Sequence, residues 1–111
     1  VRSSARSLRL ADIDQAVCAA FGISESDLKS TRRSRAVNQP RMLAMFLARK
    51  HTGAALADIG RHFGRRSHST VVAAEKTVRK WMESQSSIVL ADATWDVEQA
   101  IRRVEDVLRA G

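Results

Sequence analysis

Cysteine, proline and aromatic residues are scarce in this 111-residue chain. Its one cysteine, Cys18, has no partner for an internal disulfide, and no second cysteine stands at zinc-finger spacing from the three histidines. A disulfide scaffold and a metal site are therefore not expected, and a reducing compartment fits. With one proline, no tyrosine and 5% aromatic residues, but abundant Ala, Leu, Val and Met, the composition favours helices over strands. No apolar run nears the roughly 20 residues that span a bilayer, and no charged-then-apolar leader opens the chain. A secreted or membrane protein is not expected. No glycine-rich phosphate loop with its lysine is present, so no cofactor is expected in this chain and it does not read as an enzyme. The start at Val1 rather than Met reads as a fragment of something longer.

What is present is basic charge in one place. The length suits one hydrophobic core, and 44% hydrophobic residues can fill it. The net charge is +7, yet from Lys29 to Ala74 ten lysines and arginines face one acid, Asp58, so that this stretch carries +9 and the remainder −2. A basic surface confined to the middle of a fold points to a polyanion, with nucleic acid foremost.

Periodicity places the charges on helices, and the expected class is all-α. Ile13, Val17, Ala20 and Phe21 share one helical face, and Gly22 sits where that helix would stop. Ser24 with Asp27 three residues on predicts a capped single turn ending near Leu28. A basic loop, KSTRRSR, follows. Asn38 is expected to cap a helix with Pro40 and Arg41 in its first turn and Leu43, Phe46 and Leu47 as its apolar stripe, ending near Thr52-Gly53. Residues 55–63 predict a short helix through Leu56, Ile59 and Phe63, and Gly64 permits a left-handed turn. Ser67 then caps a helix from His68 to about Met82, buried along Val71, Ala74, Val78, Trp81 and Met82. Its opposite face carries Ser69, Ala73, Lys76 and Lys80. Beyond it ESQSS reads as a linker, and a further helix from near Thr94 aligns Val97, Ile101, Val104 and Leu108. The expected division is a helix-turn-helix DNA-binding domain over residues 1–84 and a linker with a C-terminal helical extension over 85–111.

The segment GRRSHSTVV, residues 64 to 72, concentrates the functional question. Neighbours on a helix point about 100° apart, so His68 and Ser69 cannot act as base and nucleophile, and no acid stands nearby to orient the imidazole. A plainer reading has Ser67 as a cap, Ser69 and Thr70 filling the first turn, and the arginines as a solvated turn. Against it, Ser, Ser and Thr stand where Glu or Ala would favour the helix, and the unpaired amides of a helix start can hold a phosphate. A short helix, a glycine turn and a second helix with a small polar tip form the helix-turn-helix arrangement, whose tip reaches base edges.

These residues carry a resemblance. LADIGRHFGRRSHSTVVAAEKTV, preceded by RRSRAVNQPRMLAMFLARK, is similar to the C-terminal DNA-binding domain (domain IV) of the bacterial chromosomal replication initiator DnaA, from about Leu8 to Trp81. The resemblance implies a helix-turn-helix on a helical support that binds DnaA boxes, short asymmetric duplex sites at replication origins. It implies that Arg33 enters the minor groove, where a narrow A·T-rich segment attracts such a side chain. Arg41 and Arg49 fall on backbone-contacting positions, which position without specifying. Ser67, His68, Ser69 and Thr70 fall on the family's Asp-His-Thr-Thr. With Arg35 of the basic loop, Arg65 and Arg66 of the turn, and Lys76 on the exposed face, these make up the candidate DNA-binding set.

The chain departs from the family pattern at three places. Ser67 replaces an aspartate suited to a cytosine amino group, Ala57 a proline or polar residue, and Gly64-Arg65-Arg66 a Gly-Gly-Arg turn. The expected partner is double-stranded DNA bearing DnaA-box-like sites, in the bacterial cytoplasm at the nucleoid. ATP is expected only in an ATPase domain absent from this segment. No metal or membrane partner is expected here, contact with acidic phospholipid being left to a parent protein, and the segment is expected to be monomeric. A helix-turn-helix transcription regulator is the alternative, and a module binding an acidic protein is a third reading.

Overall fold

The computed structural model of the chain describes residues 8–64 and 66–110. Six helices and one β-hairpin occur among them: α1 Leu10–Phe21, α2 Glu25–Leu28, α3 Arg35–His51, α4 Leu56–His62, α5 His68–Glu83, β1 Ser87–Leu90, β2 Ala93–Asp96 and α6 Val97–Ala110.

The helix boundaries follow local chemistry at most ends. Gly22 ends α1 in the left-handed region at φ 68°, its amide donating to the Cys18 carbonyl at 2.9 Å. Ser24 Oγ accepts from the Asp27 amide at 3.1 Å and starts α2. The apolar face expected of the first helix is buried, with Ile13 and Val17 at its centre, and Leu43, Leu47, Ile59, Phe63, Val71 and Val78 complete the same core.

Helix α3 begins three residues before the expected cap at Asn38, because Pro40 lies within it rather than at its start. Proline has no amide to offer the carbonyl four residues back, here Ala36. That carbonyl instead accepts from the Ala91 amide at 3.1 Å, and Gln39 Oε1 accepts from the Val89 amide at 2.6 Å. The hairpin is thus docked on the early turns of α3, where the proline leaves a backbone acceptor open.

The hairpin is an addition to the expected helical architecture. ESQSS ends α5, with Ser84 as its C-cap and Gln85 at φ 54°, and leads into β1, which pairs antiparallel with β2 in the register Ser87↔Asp96 to Leu90↔Ala93. Helix α6 starts at Val97, three residues later than expected, because residues 93–96 are extended. Ile88, Leu90, Val97, Ala100, Ile101 and Val104 join the core of the preceding helices, so the packing is continuous across Ser84 and Gln85. Two side-chain clusters tie the helices together: His62 Nε2 lies 2.6 Å from Asp14 Oδ2, and Glu105 Oε2 lies 2.8 Å from His51 Nε2 and 2.7 Å from Lys50 Nζ.

Candidate nucleic-acid interface

Ser67 sets the tip of α5. Its Oγ accepts from the Thr70 amide at 3.3 Å and lies 3.2 Å from Thr70 Oγ1. This closes the first turn with small side chains and leaves Ser67, His68, Ser69 and Thr70 exposed. No acidic residue stands in that turn, where a carboxylate would ordinarily stabilise the helix dipole, so its positive end is open to an outside anion. Val71, Ala74 and Val78 are buried on the inner side, while Ser69, Ala73, Lys76 and Lys80 are exposed on the outer.

The turn before α5 is held by two glycines. The Arg66 amide donates to the Gly60 carbonyl at 2.7 Å, and a Cβ at Gly60 would collide with the Arg66 carbonyl, so α4 and the turn approach closely only with glycine there. Gly64 takes φ 95° and passes against the Lys29 carbonyl, which brings the basic loop, residues 29–34, beside the turn. Thr31, Arg33, Asn38, Arg41, Gly64, Arg66 and Thr70 consequently line one groove of about 570 Å³. Arg49 lines a separate groove between α3 and α5, with Phe46, Lys50, Glu75, Arg79 and Met82.

The basic residues separate by what they meet. Among the described residues, Arg33, Arg35, Arg49 and Lys76 are exposed and have no carboxylate within 4.0 Å; Lys80 on α5 and Arg102 and Arg103 on α6 share that freedom. Lys29, Arg32 and Lys50 are paired instead, with Glu25 at 3.0 Å, Asp27 at 3.3 Å and Glu105 at 2.7 Å, and Arg61 pairs with Asp58. Arg65 lies outside the described residues.

Arg41 and Arg66 differ most from the sequence expectation. Arg41 is only 2% exposed. Its Nε donates to the Leu28 carbonyl at 2.9 Å, Nη1 to the Arg32 carbonyl and Asn38 Oδ1 at 3.0 and 3.2 Å, and Nη2 to the Asp27 carbonyl and Ser30 Oγ, both at 3.2 Å. Burial, with a smaller contribution from the neighbouring Arg66 charge, lowers its pKa to about 10, so it remains charged at neutral pH. In the free domain all three guanidinium nitrogens of Arg41 thus meet protein acceptors. Arg66 is half-buried, donates to the Ser30 carbonyl at 2.7 Å and to the Phe63 carbonyl, and burial lowers its pKa as well. Sequence reading had no signal for this, since an arginine that braces carbonyls and one that meets phosphate look alike in one dimension.

A family profile described as bacterial DnaA helix-turn-helix matches residues 10–78, which takes in α1 through most of α5. The chain belongs to the DnaA helix-turn-helix family. It is 42% identical over 104 residues to the chromosomal replication initiator protein DnaA of Sphingopyxis alaskensis, covering 93% of this chain and 21% of that protein. It is 41% identical over 86 residues to the DnaA of Wolbachia pipientis wMel, covering 78% of this chain and 19% of the relative. With DnaA of Rickettsia canadensis it shares 40% over 84 residues, 76% of this chain and 18% of the relative. The chain therefore spans about a fifth of the length of these relatives. A match over 93% of the chain also reaches beyond Met82, where the motif resemblance faded, into the hairpin and α6. The DnaA helix-turn-helix is a DNA-binding domain and not a catalytic one.

Proposed function

We propose that this domain reads DnaA-box-like sites in duplex DNA, as at a replication origin, with α5 in the major groove and the basic loop at the adjacent minor groove. The observation that carries the proposal is the shared groove: Thr70 at the tip of α5 and Arg33 of the basic loop line the same concavity. One pose on a duplex then presents His68 and Ser69 to base edges and Arg33 to a narrow groove. Arg35, Arg49 and Lys76, exposed and unpaired among the described residues, supply phosphate contacts that fix register without reading sequence. Nucleotide chemistry and any lipid contact would belong to other parts of a longer protein, and the setting would be the bacterial nucleoid.

Ser67 supports a second reading, a DnaA-like regulator with an altered site. A hydroxyl accepts a weaker hydrogen bond than the family carboxylate, so discrimination at the cytosine is reduced. Selection from a random duplex pool tests the proposal. Enrichment of one short asymmetric sequence supports it, and no enrichment at low salt would favour a module for acidic proteins instead. A chromosome-wide footprint separates the two DNA readings, through sites clustered near an origin or scattered among promoters.

A further inference from the structure

We propose that Arg66 is a positioning residue that locks the loop carrying Arg33 to the turn that opens α5, so that minor-groove and major-groove contacts act as one unit. The inference rests on the duplex-binding reading above and assigns to Arg66 a role other than direct contact with DNA.

The two carbonyls that Arg66 holds belong to different segments. Ser30 lies 36 residues away at the start of the basic loop, and Phe63 ends α4. Arg66 is itself fixed, because its amide donates to the Gly60 carbonyl at 2.7 Å and its backbone occupies space that only a glycine at 60 leaves free. Gly64 completes the joint by passing against the Lys29 carbonyl, where a Cβ would not fit. From the other side Arg41 grips the same loop at Ser30 Oγ and the Arg32 carbonyl.

Residues 29–34 contain no helix or strand, and Arg33 projects from them exposed. An irregular loop left free would lose conformational entropy when its arginine entered a groove, and a loop held in place beforehand loses less. The brace calls for arginine because a planar fork can donate to two carbonyls in fixed directions, whereas an ammonium is a point donor on a flexible stem.

The test uses Arg66→Ala and Arg66→Lys with Arg33→Ala, alone and combined, on a duplex bearing a DnaA box and on a scrambled duplex across a salt series. Arg66→Ala should lose about tenfold on the box and at most about twofold on the scrambled duplex, with the salt slope nearly unchanged. Arg33→Ala should cost much less when Arg66 is already replaced, since its groove contact is then already weakened. Arg66→Lys keeps the charge and should not restore the loss. Rescue by lysine, equal losses on both duplexes with a slope flatter by about one, or additive penalties would overturn the proposal.

Hydrogen exchange in the free protein decides the brace independently of DNA. The hydrogen-bonded loop amides, those of Lys29, Ser30 and Arg32, should exchange faster in both Arg66 variants while those of α1 keep their protection. Unchanged loop exchange would overturn the proposal even if the domain binds its site. If the unmodified domain does not prefer the box, the DNA reading fails while the exchange result still decides the brace.

Discussion

Replacing Arg41 with leucine should cost about 3 kcal/mol of folding stability. The variant keeps an apolar stem in a site that is 2% exposed, but removes five hydrogen bonds from one guanidinium. Bonds from a charged donor contribute roughly 1.5 to 3 kcal/mol each. Recovered desolvation of the buried charge offsets several kcal/mol of that sum, and acceptors at the loop edge regain water. About 3 kcal/mol remains, dominated by the Leu28 carbonyl and the loop acceptors left without their donor. For a domain near this size it lowers the melting temperature by about 12 °C. Urea unfolding followed by circular dichroism measures it, with the midpoint moving and the slope held constant. A loss below about 1 kcal/mol would show that the guanidinium is solvated and free to meet a phosphate, and would refute its assignment as an internal strut.

Other expectations follow from the same geometry. Arg49→Ala should weaken every duplex about equally and flatten the salt dependence of log affinity by about one unit, read by anisotropy titrations; a changed site preference would mean that Arg49 reads bases. Ser67→Asp should keep the cap, since both residues are good N-caps, while lowering affinity for random duplex and raising discrimination for a box with the family cytosine. Equal discrimination ratios before and after the change, on that box and on one with the cytosine replaced, would show that position 67 does not face bases. Burial pushes the Glu105 carboxyl up, but hydrogen bonds and charges from Lys50 and His51 outweigh it and hold the folded pKa below the ordinary value. Its contribution is therefore present above an unfolded pKa of about 4.3 and is lost as pH falls through the folded value. Glu105→Gln should be the less stable form at neutral pH and converge with the unmodified chain on acidification; a constant gap down to pH 2 would contradict the pairing.

The readable parts of this fold are those fixed by near neighbours in sequence. The faces of α1, α4 and α5 follow from one apolar residue per turn, and Ser24 and Ser67 announce their caps because the amide they satisfy lies three residues on. The start of α3 was not readable, since Pro40 favours a helix start and its interior position is accommodated by the Ala91 amide from far along the chain. The hairpin escaped for a related reason. Its turn is Ala91-Asp92, with Ala91 at φ 58°, and lacks the Asn-Gly or Asp-Gly pair that marks such turns. The apolar run Ile88-Val89-Leu90 was the available signal. At the candidate site, the exposed tip of α5 was legible from helical period and capping, whereas the inward turn of Arg41 and Arg66 depends on carbonyls brought near by tertiary packing.

The central claim, that the tip of α5 and the basic loop read sequence while Arg35, Arg49 and Lys76 hold the backbone, is tested most directly by His68→Ala and Arg33→Ala. Affinity for a selected box and for random duplex would be measured at one salt concentration, with circular dichroism alongside. Each variant should lose about 1 to 3 kcal/mol on the box, far less on random duplex, and no helical signal. Equal losses on both duplexes, or early melting of either variant, would contradict the account and make these residues backbone contacts or structural supports.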